Sequence, residues 1–276
     1  MGRFVVNARM YAVTPEAEAD WRGLLEHVLQ DAGLGGLSGD YAYLPWPAPQ
    51  PLEDLWRRPD LGCAFMCGYP IALGLADVTP IAAPLIDAPW AGGRPVYRSD
   101  LIVREDSPWS RLEESFQGRV GWTVDHSHSG FNALRRHLLP YLRTGRTSVY
   151  AAVTGHLVTA RTILDSVRDG RIDIGPLDAY WHMLLRERRP ELVQGVRTLV
   201  STEVAPAPAF VAGPGVPADH VERMAAAFER AAAGVGFADF ARRLKITGFS
   251  RVTRASYAPM LQWRDEALTR GYAEPA

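Results

Sequence analysis

Apolar positions along this chain follow two periods that alternate at short intervals. The opening run "RFVVNARMY" is compact and partly β-branched, the pattern of a strand. It gives way to "TPEAEADWRGLLEHVLQDAGL", where Trp21, Leu24, Leu25, Val28 and Leu29 make one helical stripe. Thr14 stands where a cap belongs, Pro15 at the first helical position and acidic residues in the first turn, and Gly33 ends the run. A strand leading directly into an amphipathic helix predicts an α/β sheet.

The next stretch alternates short apolar runs with proline-rich connections. "PLEDLW" reads as a short helix, "LGCAFM" as a buried strand and "YPIAL" as a proline-started helix. "PVYRSDLIVRE" alternates in strand fashion and is long enough to carry the chain into a second lobe. Strand and helix then repeat three times: "GRVGWTV" with "SHSGFNALRRHLLPYL", "SVYAAVTG" with "HLVTARTILDSVRDG", and "IDIGPLD" with "AYWHMLLRERRP". Such steps imply a parallel, buried sheet with right-handed crossovers. "VRTLVSTEV" returns the chain, and "PAFVAGPGVPADHVERMAAAFERAAAG" adds a strand and a long helix with Asp219 as its cap.

The expected architecture is therefore two α/β lobes, each a mostly parallel sheet flanked by helices. Lobe 1 is discontinuous, 1–96 plus 203–276, and lobe 2 spans 97–202, with two crossing hinge segments and a ligand cleft between the lobes. Ligands of such folds sit at the carboxyl ends of strands.

Composition narrows the function. The 276 residues are 47% hydrophobic and 22% charged, which fits a globular chain and neither disorder nor membrane embedding. A formal net charge of -1, without a basic run interleaved with aromatics, gives no electrostatic footprint for nucleic acid. An anionic ligand must then be held by local geometry. The two cysteines, Cys63 and Cys67, have no second pair to complete a zinc ribbon and read as small buried side chains. Arg3, Asn7 and Arg9 interrupt the N-terminal apolar run, so no signal peptide is expected in this chain, and either a cytoplasmic location or removal of a leader fits.

The chemistry concentrates at strand ends. In "VDHSHSGFN", Ser127, His128, Ser129 and Gly130 span a strand-to-helix turn, with Asn132 just beyond, and all five are candidate ligand-binding residues. The first amides of a helix lack intrahelical acceptors, so two hydroxyls, these donors and the positive helix end can cradle an anion. A serine that simply caps the helix fits the same pattern. A hydrolase lacks its elbow, since no "GxSxG" occurs. Zinc on His126 and His128 would need a further ligand such as His156 or Asp178, at no diagnostic spacing. "TGH" places His156 at or before a helix start, and Asp178 ends "IDIGPLD", where a carboxylate can cap or take a ligand donor; Asp173 reads as structural. Tyr69 at a helix start and Tyr97 in the crossing segment can pack in the core or offer hydroxyls.

In order and spacing, "MYAVTPEAEADW", "LGCAFMCGYPI", "VDHSHSGFNAL" and "VTGHLVTARTILDSVRDGRIDIGPLDAYWHMLLRERRP" resemble the substrate-binding proteins of phosphate, phosphite and phosphonate ABC transporters, which have the type II periplasmic binding fold. The resemblance implies that Ser127, His128 and Ser129 hold the phosphonate-like group with their backbone amides, and that His156 adds a hydrogen bond. It implies further that Asp178 meets the organic end and that Tyr69 and Tyr97 close over it. The same resemblance implies a monomer working with an ABC permease, periplasmic by family and free of cofactors, metal and catalysis. His128 departs from the small polar residue that the family more often carries, which leaves its role open. The same fold hosts enzymes, so the alternative is a cytoplasmic enzyme or sensor using His128 or His156 as acid/base with Asp178 on a carboxylated or phosphorylated metabolite.

Overall fold

A computed structural model describes residues 3–276 of the chain. Its first strand, β1 (Phe4–Asn7), leads into α1 (Pro15–Asp31), whose start is fixed locally: Thr14 is extended and its hydroxyl accepts the N–H of Ala17. Gly33, at φ 67°, takes the left-handed conformation that ends the helix. β2 (Tyr41–Tyr43), α2 (Leu52–Trp56), β3 (Leu61–Met66), α3 (Gly68–Leu73) and β4 (Thr79–Ile86) come next. The "PVYRSDLIVRE" segment is two strands, β5 (Val96–Tyr97) and β6 (Ser99–Arg104), interrupted at Arg98.

The middle of the chain forms β7 (Arg119–Gly121), α4 (Ala133–Leu138), β8 (Ala152–Thr154), α5 (Ala160–Arg168), β9 (Ile174–Asp178), α6 (Ala179–Arg188) and β10 (Val196–Ser201). β11 (Ala205–Pro206), β12 (Ala209–Ala212), α7 (Ala218–Arg230), α8 (Phe237–Leu244), β13 (Ile246–Arg251) and α9 (Ala258–Thr269) complete it. Pro217 occupies the cap position of α7, so Asp219 lies inside the first turn and not at the cap expected of it. Among the described residues no helix is long and apolar enough to cross a membrane.

Two compact units emerge: Met1–Val96 with Pro206–Ala258, and Tyr97–Ala205 with Pro259–Ala276. The C-terminal stretch thus packs with the second unit, whereas the sequence grammar assigns all of 203–276 to the first. Ala267 and Tyr272, both fully buried, join Val120, Trp122, Phe131, Leu134 and Leu138 in the second core. The local pattern of 258–276 does not say which core its few apolar residues will enter.

In the first unit the strand order is β13-β4-β12-β3-β1-β2, with parallel pairing confined to β1, β2 and β3. β3 is buried at every position because both of its faces are covered. A run of rings holds the layers together: Trp21 edge-on to Phe65 at 4.9 Å, Phe65 on Phe210 at 3.8 Å, and Phe210 on Phe228 at 4.9 Å. Each such buried side chain contributes roughly 3 kcal/mol. Cys63 and Cys67 are buried free thiols, and burial pushes the Cys63 thiol well above its ordinary range.

The second unit has strand order β10-β6-β9-β7-β8. β7 runs parallel to both β8 and β9, while β6, which brings the chain in, is antiparallel to β9 and to β10, which takes it out. Both sheets are therefore mixed: β6 runs against the other strands of the second sheet, and β12 and β13 run against the rest of the first.

Candidate functional site

β7 does not stop cleanly at Gly121. The Trp122 N–H still donates to Thr154 of β8, and the chain then turns through Asp125 to Ser127. Ser127 is extended, and its Oγ accepts the N–H of Gly130 at 3.0 Å, so the capping reading of this serine is realised in the structure. The next turn is wider than an α-turn. Asn132 N–H reaches back five residues to the carbonyl of Ser127, and Ala133 N–H to that of His128, making a π-turn over His128–Asn132 before α4. Such turns are rare and concentrate at functional sites. The helix expected over the whole stretch is thus three pieces, and Pro140, which has no N–H to donate, sits in the tighter last turn Leu139–Tyr141.

Gly130 is required here by packing. A Cβ on it would lie 2.0 Å from the Thr123 Oγ1, while the Thr123 N–H donates to the Gly130 carbonyl at 3.3 Å. Ser99, fully buried at the start of β6, donates its hydroxyl to the Ser129 carbonyl at 2.9 Å. The turn's carbonyls are therefore tied inward. The amides at the start of the helical run have no acceptor within it, which leaves an electropositive backbone edge.

His128 and Asn132 point into the unit. His128 is 1% exposed, with its ring 5.9 Å from that of Tyr97 and 5.3 Å from that of Trp263, and its Nδ1 lies 3.3 Å from the Asn132 amide. Burial lowers the His128 pKa to about 3, so the imidazole is neutral. Asn132 is fully buried: its Nδ2 donates to the Met260 carbonyl at 3.0 Å and its Oδ1 accepts from Arg135 at 2.8 Å.

The neighbouring turns complete the edge. At the end of β8, a Cβ on Gly155 would lie 2.2 Å from the Trp122 ring, and the exposed His156 sets its own ring 4.8 Å from the same indole. His156 and Val158 both have positive φ, 56° and 65°. A β-branched residue in that region is strained. The cause is the pairing of Leu157 and Val158 N–H with the carbonyls of Trp122 and Thr123, which keeps the segment along β7. The helix begins only at Ala160, capped by Thr159, so His156 is not in its first turn. At the end of β9, Asp178 caps α6, accepting the N–H groups of Tyr180 at 2.8 Å and Trp181 at 3.1 Å.

β8, β7 and β9 are adjacent and parallel, so their carboxyl ends bring Ser127–Asn132, His156 and Asp178 to one edge. β6 is antiparallel and pairs Ser99 with Asp178, which puts Tyr97 at that edge as well, 1% exposed. Tyr69 belongs to the first unit, on the first turn of α3 and 4% exposed. Asp173, at the other end of β9, accepts from the Arg119 backbone at 2.7 Å and pairs with its guanidinium at 2.8 Å. The hydrogen bonds from Arg119 hold the Asp173 carboxyl below its ordinary pKa. Among the described residues no group of three or more His, Cys, Asp or Glu side chains is placed to hold a metal ion.

Several residues at this edge were not singled out from the sequence. Trp122 and Thr123 stand directly before the serine motif; the Trp122 Nε1 and the Thr123 Oγ1 are buried without a hydrogen-bond partner among the described residues. Their position after a strand was a readable signal. Ser99 and Trp263 gave none, because they arrive from distant elements. Behind the edge, Asp100 accepts from His182 at 3.0 Å and Ser201 at 2.8 Å. Burial pushes the Asp100 carboxyl up, but the hydrogen bonds from His182 and Ser201, with Arg98 nearby, outweigh it and hold the pKa below its ordinary value.

Residues 60–257 match the family described as "ABC transporter, phosphonate, periplasmic substrate-binding protein". No curated protein matches the chain in sequence. Among solved structures, the binding protein component of an ABC phosphonate transporter from Pseudomonas aeruginosa superposes with a TM-score of 0.76 at 14% identity, covering 98% of this chain and 88% of that one. PhnD1 from Prochlorococcus marinus, in complex with methylphosphonate, gives 0.72 at 13% identity over 97% of this chain and 98% of the other. A Xanthomonas citri protein bound to ATP gives 0.67 at 16% identity over 98% of each chain. At these identities the solved structures establish a shared fold, that of type II periplasmic binding proteins. The family match carries more, because it spans most of the sequence and includes all three strand-end turns: the chain belongs to the periplasmic substrate-binding proteins of phosphonate ABC transporters.

Proposed function

We propose that this protein captures a small phosphorus oxyanion, a phosphate, phosphite or organophosphonate, at the strand-end turns of its second unit, and hands it unchanged to an ABC permease from the periplasmic side. The observation that carries the reading is the convergence of three turns on one sheet edge: the Ser127–Asn132 π-turn, the His156 loop and the Asp178 cap. A helical start supplies dipole and backbone donors for an oxyanion, and no cationic side chain is required. Ser129, half-buried, and the exposed His156 are the side chains offered to the phosphorus oxygens. Asp178, the carboxylate at the end of β9, suits an ammonium or hydroxyl on the organic end. His128, Gly130 and Asn132 shape the turn from within, Tyr97 backs His128, and Tyr69 is the corresponding candidate of the first unit. The protein acts as a monomer and performs no turnover.

Calorimetric titration and thermal shift with phosphate, phosphite, methylphosphonate and an aminoalkylphosphonate, against a carboxylate and an amine panel, tests the reading. Saturable binding of at least one phosphorus oxyanion, with no chemical change in the recovered ligand, is the expected result. Binding confined to carboxylates or amines would refute it.

A further inference from the structure

We infer that the C-terminal stretch, Met260 to Ala276, positions the Ser127–Asn132 turn, with Asn132, Arg135 and Trp263 as the positioning residues. Affinity as a readout rests on the function proposed above; the positioning itself does not. Two buried side chains of the turn, His128 and Asn132, meet this stretch. Asn132 Nδ2 donates to the Met260 carbonyl at 3.0 Å, and the Trp263 ring lies 5.3 Å from that of His128. Arg135, 3% exposed, links the two directly: one Nη donates to Asn132 Oδ1 at 2.8 Å, the other to the Ala273 carbonyl at 2.8 Å, with the guanidinium 5.1 Å over the Phe131 ring.

The stretch is itself anchored. Tyr272 is fully buried and donates its hydroxyl to the Ala276 carbonyl at 2.8 Å, and that carbonyl also accepts the N–H of Val149 at 2.5 Å. Arg136 pairs with Glu266 at 3.3 Å. A π-turn has one fewer local constraint than an α-turn of the same length, so its geometry depends on what grips it. On the strand side the grips are Ser99 and Thr123; on the other they come from the C-terminus. Preorganised donors bind an anion more tightly than loose ones because less ordering cost is left to the ligand.

The test compares the full chain with Trp263→Ala, Trp263→Leu and Trp263→Phe. Hydrogen exchange of the ligand-free proteins is followed over residues 124–133, with β6 and β9 as internal references, and methylphosphonate affinity is measured by calorimetry. Trp263→Ala is expected to speed exchange of the turn by about tenfold while leaving β6 and β9 unchanged. It should also weaken methylphosphonate by about fivefold or more, and Trp263→Phe should restore both. Should Trp263→Ala not fold, Trp263→Leu, which keeps an apolar side chain at this half-buried position and loses the ring, gives the same comparison. Exchange in the turn equal to wild type, or a rise spread evenly over the second unit, would overturn the inference. If the wild type binds no phosphorus oxyanion, the functional reading fails, and the exchange pattern alone decides the positioning.

Discussion

Acidification should destabilise the second unit through His128 before any carboxylate contributes. The ring is buried and neutral with its pKa lowered to about 3, against an ordinary 6.5. Between those values the unfolded chain holds a proton that the folded chain does not. Stability is therefore fully present above pH 6.5 and falls as pH drops, by about 1.4 kcal/mol per unit. At pH 5 the loss from this single residue is about 2 kcal/mol. The carboxylates held below their ordinary values, Asp100 and Asp173 among them, add to acid loss only near pH 4 and lower. Burial also lowers the pKa of His137, but that effect is common to wild type and variant and cancels in their difference. The assay is urea unfolding of wild type and His128→Gln at pH 7, 6 and 5. The wild type should lose about 2 kcal/mol more than the variant between pH 7 and 5. Equal losses would show that the imidazole is solvated or charged in the folded state and would refute the reasoning.

Three further outcomes concern the same edge. Gly130→Ala forces a Cβ to within 2.0 Å of the Thr123 hydroxyl and should cost about 2 kcal/mol; adding Thr123→Ala should recover a good part of it, which a double-mutant cycle reads directly. Asp178→Ala removes two cap bonds to α6 and should cost about 1 kcal/mol in thermal or urea unfolding, with Asp178→Ser largely neutral. His156→Asn keeps a residue that tolerates positive φ, so stability should change by less than about 0.5 kcal/mol, while calorimetry should show phosphorus-oxyanion affinity falling several-fold.

Local interactions were legible in the sequence. Thr14 capping its helix, Pro15 entering it and Gly33 leaving it all act within a few residues, so composition and spacing suffice to read them. The alternation of strand and helix and the placing of Ser127, His156 and Asp178 at strand ends are local for the same reason. Choices between partners far apart in the chain were not legible. The stretch 258–276 carries no local mark of the core it joins, and the packing of Ala267 and Tyr272 with Phe131 and Leu138 chose the second. The serine motif read as a simple helix start, yet Thr123 and Ser99 draw its carbonyls inward and widen it into a π-turn. His156 read as the start of a helix, but hydrogen bonds from Leu157 and Val158 to the carbonyls of Trp122 and Thr123, just beyond β7, hold it in the left-handed region. His128 and Asn132 read as ligand donors because polar side chains beside a glycine turn look solvent-facing. Their inward direction was decided by Tyr97, Met260 and Trp263, all from other elements, since a polar side chain can be buried only where tertiary structure brings it a partner.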